Sequence, residues 1–85
     1  IERAMDAGIG LLGSGLTETR LGLAASSHLY SAYGFKYPVD LNGPQFLADD
    51  PIKGGVTINR GVVNVSDAPG IGVEIDEEKL ARYAV

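Results

Sequence analysis

The apolar and polar positions of the chain divide it into short elements of different period. Ile1, Ala4 and Met5 gather on one side of a helical wheel, with Glu2, Arg3 and Asp6 on the other. This predicts a helix over Ile1–Ala7, with Gly8 placed to end it. Ile9–Leu12 is a short apolar run without polar alternation, the pattern of a strand buried on both faces in a parallel sheet. After Gly13-Ser14-Gly15, a helical pattern covers Arg20–Tyr33. Leu21, Ala24, Ala25, His28, Leu29 and Ala32 form its predicted apolar face, Thr17 or Thr19 its cap, and Gly34 its end. Tyr37–Leu41 is a second candidate strand, closed by Asn42-Gly43-Pro44. Strand, helix and strand in this order make a βαβ unit with parallel strands. Two such strands cannot cover both their own faces, so missing neighbours are expected.

The pattern then changes. Gly54-Gly55 introduces Val56–Asn59, Arg60-Gly61 is a turn, and Val62–Val65 returns, which predicts a β-hairpin. Asp67-Ala68-Pro69-Gly70 is another turn. Val73–Ile75 leads to Asp76, the expected N-cap of a last helix over Glu77–Tyr83. Glu77 and Glu78 suit the positive end of that helix.

Composition narrows the functional classes. With 85 residues the chain makes one small domain of marginal independent stability, and no cysteine is present to staple it. Lack of cysteine fits a reducing compartment, so a cytoplasmic location is expected. A hydrophobic share of 45% marks a globular chain. The net charge of −4 opposes nucleic-acid binding, which needs a basic footprint. No apolar run approaches the ~20 residues of a membrane span.

Several groups carry candidate chemistry. Gly8-Ile9-Gly10-Leu11-Leu12-Gly13 spells the dinucleotide fingerprint, but it follows a helix and contains the strand, whereas the motif must follow a strand and open a helix. Ser14, Gly15 and Glu18 lie at the C-terminal end of the first strand, the end that carries chemistry in α/β barrels and open sheets. The competing assignment there is helix capping by Thr17 and Glu18. Asp40 and Asn42 share one face at the matching end of the second strand and offer two oxygen-bearing groups to an ammonium, a hydroxyl or a metal. Ordinary turn chemistry before Gly43-Pro44 is the alternative. His28 is expected to pack with a hydrogen-bond partner, and Asp49-Asp50 to form a solvated loop. Tyr30, Tyr33, Phe35 and Tyr37 are expected to cover the helix-to-strand connection.

Three stretches together resemble the enolase superfamily in its muconate-lactonizing subgroup. They are Gly13-Ser14-Gly15-Leu16-Thr17-Glu18 with the alanine-rich helix through His28-Leu29, then Asp40-Leu41-Asn42-Gly43-Pro44, then Asp67-Ala68-Pro69-Gly70-Ile71-Gly72-Val73-Glu74. The resemblance implies an α/β fold: the C-terminal part of a (β/α) barrel, holding its last two strands and their helix, followed by a return to an α+β capping domain. Residues 1–48 would be the barrel part and residues 49–85 the return segment. Ile1–Ala7 would be the sixth barrel helix, Ile9–Ser14 the seventh strand, Arg20–Tyr33 the seventh helix and Tyr37–Leu41 the last strand. The hairpin and final helix would rejoin the cap.

The implied activity is proton abstraction next to a carboxylate, assisted by Mg2+ or Mn2+, in a cycloisomerase or a racemase or epimerase that is homo-oligomeric when complete. Metal ligands and catalytic lysines would lie outside this chain, since Lys36, Lys53 and Lys79 do not match them. Glu18, Ser14, Gly15, Asp40 and Asn42 would face a small carboxylate substrate. The chain departs from the family in an extra residue between Gly13 and Glu18, in Gly15 where methionine is common, and in Asn42 where a second acid is usual. The resemblance therefore does not extend to a dipeptide specificity. The competing expectation is a non-enzymatic α+β binding module that folds alone.

Overall fold

The computed structural model describes residues 1–85 as three α-helices, a single 3₁₀ turn and two two-stranded antiparallel sheets. Helix α1 spans Glu2–Asp6 and α2 spans Arg20–Ala32. Both end in the same way. The Gly8 and Ile9 amides donate to Met5 and Ala4, and those of Gly34 and Phe35 to Ser31 and Tyr30, which is the Schellman pattern. At the end of α2 the hydrophobic contact that accompanies this motif is aromatic: Phe35 stacks on Tyr30 with ring centroids 4.8 Å apart. Of the four aromatics expected to cover the helix-to-strand connection, Tyr30 and Phe35 stack there, while Tyr33 donates its hydroxyl to Glu2 and Tyr37 is largely exposed.

The first predicted strand does not form a ladder. Between Ile9 and Leu41 pairing is limited to one parallel bridge, Ser14 to Asp40. The parallel sense matches the βαβ expectation. The expected double-sided burial is absent: Ile9 is 60% exposed, Leu12 72% and Tyr37 58%. These segments have apolar side chains and no neighbouring strands in this chain to cover them.

The second half carries the regular pairing. Strand β1 (Ile52–Gly54) pairs with β4 (Val73–Ile75), and β2 (Val56–Asn59) with β3 (Val62–Val65). The β2–β3 hairpin turns through Arg60-Gly61 in the predicted register, with Asn59 opposite Val62. Pairing of Ile52–Gly54 with a strand some twenty residues later was not expected from the sequence, because a three-residue strand has too little pattern to announce its partner. Helix α3 (Glu77–Tyr83) has the predicted bounds and the predicted cap, the Asp76 carboxylate accepting from the Lys79 amide at 3.1 Å.

Helix α2 packs on all four strands. Leu23, Ala24 and Val56 form the buried centre, with Leu41, Val63, Val65, Ile71 and Val73 against it. A Cβ on Gly55 would stand 2.7 Å from Val73 Cγ1 and 3.1 Å from Ala24 Cβ, so helix and sheets meet closely there. The buried stripe of α2 is therefore Leu23, Ala24 and Ser27, rotated from the predicted face. Only Ala24 is shared with that prediction as a buried residue. Leu21, Ala25, Leu29 and Ala32 are exposed, because no element of this chain lies on their side. The hydrogen-bond partner expected for His28 is also missing: its Nε2 is enclosed but unpartnered.

Only 8 of 85 residues are buried. The radius of gyration is 14.4 Å, against about 12 Å for a compact chain of this length. The molecule is elongated and leaves much of its apolar surface uncovered.

Candidate functional site

The Ser14–Asp40 bridge brings the ends of the two extended segments side by side. Asp40 donates its amide to the Gly13 carbonyl at 3.0 Å, and Gly15 donates to the Asp40 carbonyl at the same distance. Tyr30 reaches back from α2 and donates its hydroxyl to the Ser14 carbonyl at 2.9 Å. The pairing leaves no room for a side chain at Gly13, where a Cβ would lie 2.7 Å from the Tyr30 ring and 2.8 Å from Val39. The segments run parallel, so the chain leaves both at the same edge. That edge carries Ser14 and Gly15 from one segment and Asp40 and Asn42 from the other. Asn42 donates an amide hydrogen to Asp40 Oδ1 at 3.4 Å, which holds the two side chains together.

Glu18 joins this edge through glycines. The loop at Gly43 adopts φ 150°, open to glycine alone, and a Cβ there would overlap the Glu18 carbonyl oxygen. The carboxylate lies between Gly15 and Gly22: added Cβ atoms would stand 3.4 Å from Oε1 and 2.7 Å from Oε2. Glu18 Oε2 is fully enclosed and accepts no hydrogen bond. A buried carboxylate oxygen without a partner is costly, and its presence calls for a reason. All five residues singled out from the sequence, Ser14, Gly15, Glu18, Asp40 and Asn42, thus belong to two neighbouring turns.

The capping expected from Thr17 or Thr19 does not occur. Thr19 occupies the N-cap position without a side-chain bond. The first amide of α2, at Arg20, donates instead to Asp50 Oδ2 at 2.8 Å. Asp49-Asp50 is accordingly not a solvated loop. Asp50 Oδ1 accepts from the Ile52 amide at 3.0 Å, and Asp49 receives Lys79 Nζ and, at 3.0 Å, the Tyr83 hydroxyl. A carboxylate accepting from the backbone two residues ahead is the Asx turn, and Asp50-Pro51-Ile52 carried that signal.

The hydrogen bond from Lys79, then that from Tyr83, holds the Asp49 carboxyl below its usual pKa. The same Asp49–Lys79 bond raises Lys79. Lys53, 3.0 Å from Asp76, and then the Lys79 amide lower Asp76.

The donor set of this chain does not fit a divalent ion. No three His, Asp or Glu side chains converge, and a hard cation needs several oxygen ligands. The run Gly8–Gly13 opens no helix, since α2 begins only at Arg20. A groove of about 550 Å3 includes Asp40 but neither Glu18 nor Asn42, one of about 380 Å3 is lined by Arg20, Leu23, Pro44 and Val56, and one of about 270 Å3 lies around Met5, Ile9 and Tyr33.

The family described as "Enolase C-terminal domain-like" matches residues 1–79. The chain belongs to that family. Its relatives place it in the muconate-lactonizing subgroup. Muconate cycloisomerase 1-1 of Acinetobacter lwoffii is 31% identical over 91% of this chain and 21% of its own length. L-Ala-D/L-amino acid epimerase of Populus trichocarpa is 37% identical over 82% of this chain and 17% of its own. Among solved structures, a dipeptide epimerase of Cytophaga hutchinsonii, complexed with Mg and the dipeptide D-Ala-L-Val, superposes with a TM-score of 0.83. It is 26% identical, and the match covers 95% of this chain and 22% of that one. The chain thus spans about a fifth of the length of the curated relatives it matches. Those relatives are isomerases, both cycloisomerases and epimerases.

Proposed function

We propose that this chain is the C-terminal part of an enolase-type isomerase and supplies part of its substrate-facing rim. The complete protein would be a cycloisomerase or a racemase or epimerase that abstracts a proton next to a substrate carboxylate. In that reading the Ser14 and Asp40 segments are the last two strands of a (β/α) barrel, and the hairpin and α3 return to a capping domain. A divalent metal, Mg2+ or Mn2+, would be held by residues outside this chain, and so would the acid and base lysines. A homo-oligomer in the cytoplasm completes the proposal.

The observation that carries it is the parallel Ser14–Asp40 bridge together with the close approach of Gly43 to the Glu18 backbone, which gather Glu18, Asp40 and Asn42 at one edge. Such an edge is where open and closed α/β sheets receive ligands. Asp40 offers a carboxylate and Asn42 an amide to a polar substituent of the substrate. Glu18 stands half-buried at this edge; its Oε2 is enclosed, so the other carboxylate oxygen is the one it would offer to a substrate. The exposed apolar side chains of Ile9, Leu12 and Leu16 support the presence of further barrel strands.

The test is Glu18→Gln in the complete protein, assayed on dipeptides and on muconate-type dicarboxylates. The expected result is a change of roughly tenfold or more in kcat/KM on at least one substrate, as follows from losing a hydrogen bond to a charged group. Metal binding should be retained. Unchanged kinetics across the panel would overturn the rim role.

A further inference from the structure

Glu18 has no hydrogen bond of its own to hold its carboxylate at Oε2, so its position must come from the backbone that carries it. That backbone is fixed from both sides. Before α2, Gly43 presses on the Glu18 peptide. Two residues after Glu18, the Arg20 amide is bound by Asp50, thirty residues away in sequence. Asp50 has little freedom to release it. Its other oxygen holds the Ile52 amide, and its own amide donates to Asp49 Oδ1 at 2.9 Å. Asp49 is braced by Lys79 and Tyr83 of α3. A carboxylate at a helix N-terminus is favoured by the dipole as well as by the bond.

We propose that Asp50 is a positioning residue for Glu18: it clips the start of α2 to the 49–52 turn and to α3, and so sets where the Glu18 carboxylate stands between Gly15 and Gly22. The proposal deepens the rim assignment of Glu18 and rests on it for its kinetic consequence. Substrate choice at the Glu18 edge is then coupled to the seating of the C-terminal helix, whose Lys79 and Tyr83 side chains hydrogen-bond to Asp49 and Asp50.

The experiment uses the complete protein, its crystal structures and its kinetics on D-Ala-L-Val and cis,cis-muconate. In Asp50→Ala the Glu18 carboxylate is expected to move by about 1 Å or more, a displacement that lowers kcat/KM by roughly ten- to a hundredfold on any probe that Glu18→Gln also impairs. Asp50→Asn keeps one acceptor oxygen where two amides need one each, and sets an NH2 donor against the other amide, so it should restore position and rate only in part. Asp50→Ala combined with Glu18→Gln should cost no more than Glu18→Gln alone. An unmoved Glu18 in Asp50→Ala, or a double variant that costs more than Glu18→Gln alone, would overturn the proposal. Should the Ala variant fail to fold, Lys79→Met loosens the same clip from its exposed end. It should shift Glu18 in the same direction, and no shift would count against the clip. If Glu18→Gln leaves kinetics untouched, the rim role falls, while the crystallographic position of Glu18 still decides the role of Asp50.

Discussion

Residues 1–48 and 49–85 are built on different principles. The later region closes on itself: β1 finds β4, β2 finds β3, and α3 is pinned through Asp76, Lys53, Lys79 and Asp49. The earlier region holds all the candidate site residues and has a single parallel bridge between its extended segments. Antiparallel pairs can be joined by a two-residue turn and satisfy each other locally, whereas parallel strands need neighbours on both sides. The site therefore sits in the part of the chain least able to hold its own shape, and it borrows order from the other part through α2 and Asp50.

The contrast can be broken most forcefully at the shared core. Leu23 is fully buried where α2 meets the strands, and Leu23→Ala should cost about 2–5 kcal/mol in urea unfolding of the complete protein. An effect confined to one region would show that the two are not coupled through α2. Gly43→Ala is the next largest. It forces a side chain into a left-handed backbone, which alone costs of order 1–3 kcal/mol, and into overlap with the Glu18 backbone, which must shift. It should displace the Glu18 turn while leaving exchange of the hairpin amides unchanged.

Amide exchange on the isolated chain sharpens the same comparison. Backbone of Ile9–Leu12 should exchange quickly and that of Val56–Asn59 slowly. In the complete isomerase proposed above the difference should largely vanish, and equal protection in the isolated chain would contradict the account.

The smallest effect is that of pH on α3. Asp49 and Asp76 titrate below the usual 3.8 when folded, so their contribution is present above that value. It is lost as pH falls through their lowered pKa. Lys79 and Tyr83, both raised by Asp49, contribute below 10.5 and 10.0 and lose that contribution as pH rises through their folded values. Helical signal from α3 should therefore decline at both extremes, and an Asp49→Asn variant should flatten both limbs.

What was readable in the sequence was whatever depends on neighbours along the chain. Gly8 and Gly34 ended their helices because a Schellman turn is completed within six residues. Arg60-Gly61 set the hairpin register, and Asp76 capped the helix three residues ahead. The resemblance to the enolase family, carried by short ordered stretches, was equally a property of the sequence, and so was the grouping of Ser14, Gly15, Glu18, Asp40 and Asn42 at the ends of two extended segments. What only the tertiary structure decided were the contacts between residues far apart. The cap of α2 came from Asp50 instead of Thr17 or Thr19, β1 joined a distant β4, and α2 turned Leu23 and Ser27 inward while leaving Leu21 and Leu29 outside. Periodicity reports that a helix has an apolar side. It cannot say which of two apolar sides meets a partner when much of what could cover the other side is absent from the chain.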